Sequence, residues 1–379
     1  MKNPFRYGGP VTNENFANRK KEIKELLRDL RGGANVFLIS PRRYGKSSLI
    51  INVLSKLKAE GVYTVYIDLY KVSSYERLLS IYAHAITASA ETKINKFAKI
   101  VKEFLPNLHP KIVLKPDGSP SMEIDYNIGK KDIFNLLNEV YDMPQRIAEK
   151  RNKNFVVAFD EFQEIRELDG ERIEKEMRAS FQHHDRVRYL FAGSKRHVLY
   201  DMATNRAKPF YNMGEIISLN KLPRKEFSEF LIKRFEKTNF TIKQEVMQEI
   251  LERTEDYPYN AQFLCHKLWN RCLDKKKVTI KDIDFALKEI TENLSPTYIT
   301  IWDSLSMHQR NLLIAISLCG GERIFSQDFI MENKLGNPAS VQTSLRLLQK
   351  KEILDKENGS YFITDVFFKE WIRRRISGT

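Results

Sequence analysis

Apolar residues along this chain follow two rhythms, and the change between them comes near residue 223. Before it, five short runs are almost continuously apolar and rich in β-branched and aromatic residues: "NVFLIS" (35–40), "VYTVYIDLY" (62–70), "NFVVAFDEF" (154–162), "VRYLFAGS" (187–194) and "EIISLNKL" (215–222). Runs that lack the alternation of a half-exposed strand predict strands covered on both faces, and the helical spacing between them predicts crossover connections. The economical reading is an α/β domain with a parallel five-stranded sheet over residues 1–222. A helix through "ENFANRKKEIKELLRDLRGG" is expected to deliver the chain to the first strand, with Asn18 as its cap and Gly32-Gly33 as its stop.

More than 80 residues separate the second and third runs, too many for one simple crossover. Residues 75–106 read as lysine-rich helix, and "LPNLHPKIVLKPDGSPSMEIDYNIGKKD" carries four prolines and the makings of a hairpin. This insertion, about 87–135, reads either as a solvated loop or as a basic surface that follows a phosphate backbone.

From Pro223 the rhythm becomes helical. "RKEFSEFLIKRFEK", "KQEVMQEILERTE", "YNAQFLCHKLWNRCLD" and "TIKDIDFALKEITENL" repeat apolar residues at the spacing of a helix face, which predicts a helical lid over 223–296. After a turn through "LSPTYITIWDSL", three helices ("MHQRNLLIAISL", "SQDFIMENKL", "PASVQTSLRLLQKK") and a hairpin around Asn358-Gly359 predict a winged helix-turn-helix domain over 297–379. Val341, Leu345 and Leu348 are expected in its core. Its exposed face is drawn from Gln342, Thr343, Ser344 and Arg346, with Lys350, Lys351, the wing at Lys356 and Asn358, and Arg373 to Arg375 near a nucleic-acid backbone.

The formal net charge of +14 favours a polyanionic partner without choosing one. No run of about 18 apolar residues occurs, and "MKNPFRYGGPVTNENF" has no apolar core, so neither a membrane span nor a secretory signal is expected and the cytoplasm is the default location. Cys265, Cys272 and Cys319 are widely spaced and lack C-x-x-C spacing, which predicts small buried hydrophobes rather than a disulfide framework or a zinc site. His183, His184 and His197 lack metal-ligating company and are expected to be structural.

The chemistry concentrates at strand ends. Ser40, Pro41, Arg42, Arg43, Tyr44, Gly45, Lys46, Ser47 and Ser48 stand where a strand gives way to a helix, a setting in which backbone N–H groups and the positive helix end face an anion. Lys46 reaches the β- and γ-phosphates, Ser47 offers its hydroxyl to Mg²⁺, and Gly45 lets the backbone pass close. Arg42 and Arg43 either touch phosphate or pair with acids beside the loop. Ser40 departs from the G-x-x-x-x-G-K-[ST] pattern at its first position only, at little cost if its φ is negative and at more if it is positive. Asp160 and Glu161 end the third strand, one acid to hold Mg²⁺ and one to activate the attacking water. The competing reading is a pair that only caps the next helix. Gln163 faces either the γ-phosphate or solvent. Ser194, with Lys195, ends the fourth strand, where open α/β sheets bind ligands, and either senses the γ-phosphate or forms a plain Gly-Ser turn.

Taken in order, "FANRKKEIKEL", "SPRRYGKSSL", "VVAFDEFQ", "FAGSKRHVL", "KPFYNMGEIISLNKL" and "TEDYPYNAQFLCHKLW" make the chain resemble the archaeal-type ATPase family, in the AAA+/STAND branch of P-loop NTPases and related to origin-recognition ATPases. The resemblance covers most of the chain and implies ATP/ADP rather than guanine nucleotide. It implies that Phe16, Asn18 and Arg19 lie near the adenine or ribose, and that Tyr257 and Pro258 close over the base. Many relatives carry Gly-Arg after the Pro-Phe-Tyr motif, whereas this chain has Asn212-Met213. The trans-acting arginine is therefore open between Arg206 and Arg196, and a finger supplied by a neighbour implies a homo-oligomer.

The expected function is a slow, switch-like ATPase whose nucleotide state controls a winged helix bound to double-stranded DNA. The alternatives are a nucleotide-bound DNA-binding regulator with vestigial hydrolysis, and a signalling or defence scaffold whose winged helix contacts protein.

Overall fold

The computed structural model describes residues 2–17, 19–90, 94–105, 109–114, 120–125, 133–357 and 359–377. Asn18, Asn358 and parts of the 87–135 insertion lie outside the described residues.

The five apolar runs form β1 (Val36–Ile39), β2 (Tyr63–Asp68), β3 (Phe155–Asp160), β4 (Val187–Gly193) and β5 (Glu215–Ser218). They pair in parallel in the spatial order β2-β3-β4-β1-β5. Every residue of β1 and β3 is buried, which is why neither run alternates. Phe37 and Phe159 stack on Phe191 at ring separations of 4.9 and 6.0 Å, so the central strands share one aromatic layer. The order matters for chemistry. Because β3, β4 and β1 are neighbours, the acid pair, the Gly-Ser and the phosphate-type loop emerge side by side.

Helix α1 (Lys20–Arg31) starts one residue later than expected, with Arg19 rather than Asn18 at its cap and no side-chain cap bond. Gly32 ends it, and Gly33 at φ +92° turns the chain into β1. Helix α2 (Lys46–Ala59) follows β1 directly. The lysine-rich stretch divides into helices Tyr75–Ala90 and Ile94–Phe104, and the expected hairpin forms from His109–Leu114 and Pro120–Asp125.

The described chain divides into two compact units. One is Gly8–Leu222; the other starts at Pro223 and takes in the residues before Gly8. In the second unit, helices Arg224–Glu236, Gln244–Arg253, Pro258–Arg271 and Ile280–Asp303 precede the winged-helix elements Met307–Cys319, Gln327–Glu332, Pro338–Lys350, Leu354–Glu357 and Ser360–Ile363. Two elements went unforeseen: a short parallel pair, Thr241–Ile242 with Lys277–Val278, and a last helix, Val366–Ser377.

The turn expected through "LSPTYITIWDSL" does not exist. Ile280–Asp303 is one helix with Pro296 inside it, so the 296/297 boundary falls within a continuous rod shared by lid and winged helix. An interior proline costs about 3 kcal/mol. Here the last turns are held by Tyr298 and Trp302 packing on Phe368 and Trp371, and by Trp371 Nε1 donating to Ser295 Oγ at 3.1 Å.

The N-terminal residues complete the lid core. Phe5 is only 1% exposed and lies 4.5 Å from the Phe235 ring. Arg234 donates to the Pro4 carbonyl, and the His266 ring donates to that of Phe5. Phe5→Ala is expected to destabilise the 223–379 unit by about 3–5 kcal/mol, the cost of emptying a buried phenyl site. Denaturant titration of the full chain checks this, and a loss under about 1 kcal/mol rules out the packing role.

Candidate functional site

Lys46, Ser47, Asp160, Glu161 and Ser194 converge at the C-terminal ends of β1, β3 and β4. Lys46 is 6% exposed and its ammonium pairs with both Asp160 and, at 2.9 Å, Glu161. Ser47 Oγ donates to Asp160 Oδ2 at 2.5 Å, and Tyr66 OH donates to the same oxygen at 2.6 Å. Glu161 Oε2 accepts from Ser194 Oγ (2.7 Å), Ser194 N (3.1 Å) and Gln163 Nε2 (2.6 Å). Burial works to raise the Glu161 carboxyl, but the Lys46 ammonium and the donors Ser194 and Gln163 outweigh it and hold the group at about 2. Burial pulls the Lys46 ammonium down, against the opposing pull of Glu161.

The loop explains its own unusual residue. Ser40 is not among the residues at positive φ, so serine replaces glycine there without backbone strain. It is fully buried, its N–H donates to the Gly193 carbonyl at 3.2 Å, and its hydroxyl donates to Pro41 O at 2.9 Å. The left-handed positions are instead Arg43 (φ +68°) and Gly45 (φ +84°), and open space lies where a Cβ on Gly45 would stand. Asn212, where relatives are expected to carry glycine, has φ +55°, a conformation that asparagine tolerates better than most residues.

Other expected site residues fall at varying distance from this centre. Arg19 is buried; it pairs with Glu22 at 2.7 Å and donates to the Tyr44 carbonyl at 2.9 Å, so it braces the loop from behind. Phe16 is half-buried on the segment that leads to it, and Pro41 and Tyr44 are buried within the loop. Ser48 Oγ accepts from Val11 N at 3.0 Å, and Asn52 donates to the Val11 carbonyl, which ties that segment along α2. Arg42 is exposed, Arg196 opens the helix after Ser194, and Arg206 is exposed in the turn that follows that helix. Tyr257 caps Pro258–Arg271 in the other unit, with Pro258 at its first turn.

Gln163 does not face solvent: it is 3% exposed and bonded to Glu161. Tyr66 was not singled out, because only strand register reveals that it neighbours Asp160: the β2–β3 pairing sets Asp68 against Asp160 and Tyr66 against Ala158. Among the described residues no group of three or more His, Cys, Asp or Glu could hold a metal ion. The oxygen pair from Ser47 and Asp160 nevertheless suits a hard cation that takes its remaining ligands from phosphate and water.

In the winged-helix part, Val341, Leu345 and Leu348 are buried as expected, and Gln342, Thr343, Arg346 and Lys350 are exposed along one face. Ser344 is a correction: it is buried, and His308 Nδ1 lies 2.8 Å from its hydroxyl. The other ring nitrogen donates to the Leu335 carbonyl at 2.9 Å, so the ring is held on both sides and Ser344 is committed inward. The basic end is also engaged. Arg373 donates to Ser317 O, Arg374 pairs with Glu370, and Arg375 stacks over Trp371. Cys265 and Cys272 are buried, whereas Cys319 is exposed, because it ends its helix beside Gly320. His184 is structural, bonded to Asp142 and Tyr189. Among the described residues no helix is long and apolar enough to cross a membrane.

Comparison with known proteins agrees with this fold. The family model described as an ATPase domain predominantly from Archaea matches residues 16–260, and that of a probable winged helix domain matches 296–374. Among solved structures, a Walker-type ATPase of Pyrococcus abyssi is similar over 98% of this chain and 99% of its own, at 18% identity and a TM-score of 0.67. The ORC2 protein of Aeropyrum pernix, in ADPNP–ADP complexes, is similar over 96% of both chains at 15% identity and a TM-score of 0.56. The ORC1 protein of Aeropyrum pernix in complex with DNA covers 96% of this chain and 94% of its own, at 14% identity and a TM-score of 0.52. At these identities the structural likeness speaks for the fold alone. No curated protein matches the sequence.

Proposed function

This chain belongs to the family of ATPase domains found predominantly in Archaea, and from that premise we propose that it binds and slowly hydrolyses Mg·ATP and that its nucleotide state governs binding of duplex DNA. The observation that carries the reading is the convergence of Lys46, Ser47, Asp160, Glu161 and Ser194 at three neighbouring strand ends.

When bound, Mg·ATP supplies the electrophilic γ-phosphorus and the cation that neutralises charge on leaving. The chain's own part is to hold and orient. The loop N–H groups and Lys46 hold the phosphates, Ser47 and Asp160 hold the cation, and Tyr66 fixes the Asp160 carboxylate by its hydroxyl. Glu161 takes the proton from the attacking water, and Ser194 orients Glu161. Phe16 lies on the base side of the loop, and Arg19 braces the loop from behind. Arg206, exposed on its turn, supplies charge to the site of a second copy. Phosphate release from ATP, measured with and without duplex DNA, tests the enzyme reading; no release under either condition leaves a nucleotide-bound regulator instead.

The lid and the winged helix share the continuous helix Ile280–Asp303, so a displacement of the lid carries the recognition helix Pro338–Lys350 with it. Duplex DNA binding is expected to weaken steeply with salt, at a slope of about −0.9 per phosphate contacted. Arg346→Ala and Lys350→Ala are each expected to flatten that slope by about one unit. A salt-independent affinity, or a slope untouched by both changes, points to a protein partner.

A further inference from the structure

We propose that the helix Pro338–Lys350 selects A·T base pairs in the major groove, Gln342 bonding an adenine edge while the Thr343 methyl meets that of a thymine beside it. The inference rests on the reading of this helix as the duplex-binding element. Its orientation is fixed first. At 3.6 residues per turn, Ala339, Gln342, Thr343, Arg346 and Lys350 lie within an arc of about 100°, and all five are exposed. Val341, Leu345 and Leu348 are buried on the opposite side, and Ser344 is fastened by His308 at 2.8 Å, so no other face can turn outward.

The exposed face has two halves. Residues 337–343, "NPASVQT", hold no charge, whereas Arg346 and Lys350 follow in the second half, and the helix carries no acid anywhere. A recognition helix enters the groove by its N-terminal residues, which puts the uncharged half against base edges and the two cations toward the backbone.

The uncharged half lacks the side chains that read G·C. Guanine is read most often by Arg or Lys and cytosine by Asp or Glu, and none stands in 337–343. Asn337 is already engaged, because its Oδ1 accepts from Ser340 N at 2.9 Å as the helix cap. Gln342 has no partner among the described residues. Its carboxamide offers one donor and one acceptor side by side, the complement of adenine N7 and N6. Thr343 Oγ1 donates to the Ala339 carbonyl at 3.0 Å, so the hydroxyl is turned to the helix backbone and the methyl is what the residue presents. Thymine carries a methyl in the major groove and cytosine does not. Ala339, one turn earlier, is small enough to let the groove wall come close.

The test selects duplexes from a randomised pool with the full chain, Mg²⁺ and the β,γ-imido analogue of ATP, and then alters single bases in the selected site. Adjacent A·T pairs are expected in the enriched sites. Uracil in place of the contacted thymine removes only the methyl and should weaken binding about fourfold, as for one buried methyl group. That penalty should vanish in Thr343→Ser, which keeps the hydroxyl bond. Gln342→Ala should weaken binding by about 5- to 150-fold, the range of one bidentate base contact, and should cancel the penalty of 7-deazaadenine, which lacks the N7 acceptor. The base replacements act on the wild-type protein, so they serve even where a variant does not fold. Enrichment of G·C pairs, or no base preference, overturns the readout and leaves duplex binding through phosphates intact. A uracil penalty that persists in Thr343→Ser, or a 7-deazaadenine penalty that persists in Gln342→Ala, overturns the role of that residue. Failure to bind any duplex overturns the DNA reading itself, and the readout with it.

Discussion

Lys46→Ala is expected to abolish ATP binding, weakening it by at least about 100-fold, because a buried ammonium lost from a charged pair costs 2–5 kcal/mol or more. Two separate consequences should appear, since Lys46 also serves the ligand-free protein. It is the cation beside Asp160, which is 3% exposed, and beside Glu161. Without it two carboxylates adjacent in sequence face each other across little solvent, and breaking such a pair destabilises by about 3–5 kcal/mol. The pH dependence should invert. In the wild type Glu161 is held at about 2 against an ordinary value of 4.5, so its contribution to stability is present above 4.5 and is lost as pH falls through 2. In the variant the neighbouring acids repel, the Glu161 carboxyl rises, and the fold should gain stability on mild acidification from neutral pH. Calorimetric titration with ATP and melting curves from pH 7 to 4 check both. A variant that binds ATP normally, or that melts lower at pH 5 than at pH 7 by as much as the wild type, places the phosphate and the acids elsewhere.

The parts of this site that sequence revealed are those fixed by local chemistry. The loop reads from Gly45-Lys46-Ser47, and β3 reads from an apolar run that must end somewhere polar, at Asp160-Glu161. The question left open at Ser40 was a question about one dihedral, and the backbone answered it. The strain in the loop sits at Arg43, where nothing in the residue type announces it. What stayed hidden depends on register or on distant contacts. Tyr66 meets Asp160 only because β2 and β3 pair as they do. Phe5 meets Phe235 across more than two hundred residues. Ser344 was misassigned because its place on the helix allowed either face, and the His308 ring decides it. The last helix, Val366–Ser377, was masked by its arginines: Phe367, Phe368, Trp371 and Ile372 form an apolar face, but Arg373 to Arg375 draw the eye to charge. The turn expected through "LSPTYITIWDSL" is absent because aromatic packing along Ile280–Asp303 offsets the N–H missing at Pro296.

Glu161→Gln is expected to keep ATP bound while lowering turnover by about 100- to 10,000-fold, the range that general-base catalysis supplies. The change is nearly isosteric, and it removes one negative charge from a site built for an anion, so affinity should hold or tighten rather than fall. The amide oxygen can still accept from Ser194, and Lys46 keeps Asp160 as its partner, so the cluster should remain assembled. What glutamine cannot do is take a proton from water. The expected signature is therefore a split: turnover lost with Kd preserved, unlike Lys46→Ala, in which binding itself goes. Stoichiometric ATP retention after gel filtration, together with phosphate release over hours, measures both sides. Wild-type turnover in the Glu161 variant would sink the assignment, and the proton would then have to pass to another acceptor near the γ-phosphate. Loss of binding alongside turnover would instead show that Glu161 holds the loop through Lys46 and that the base lies elsewhere.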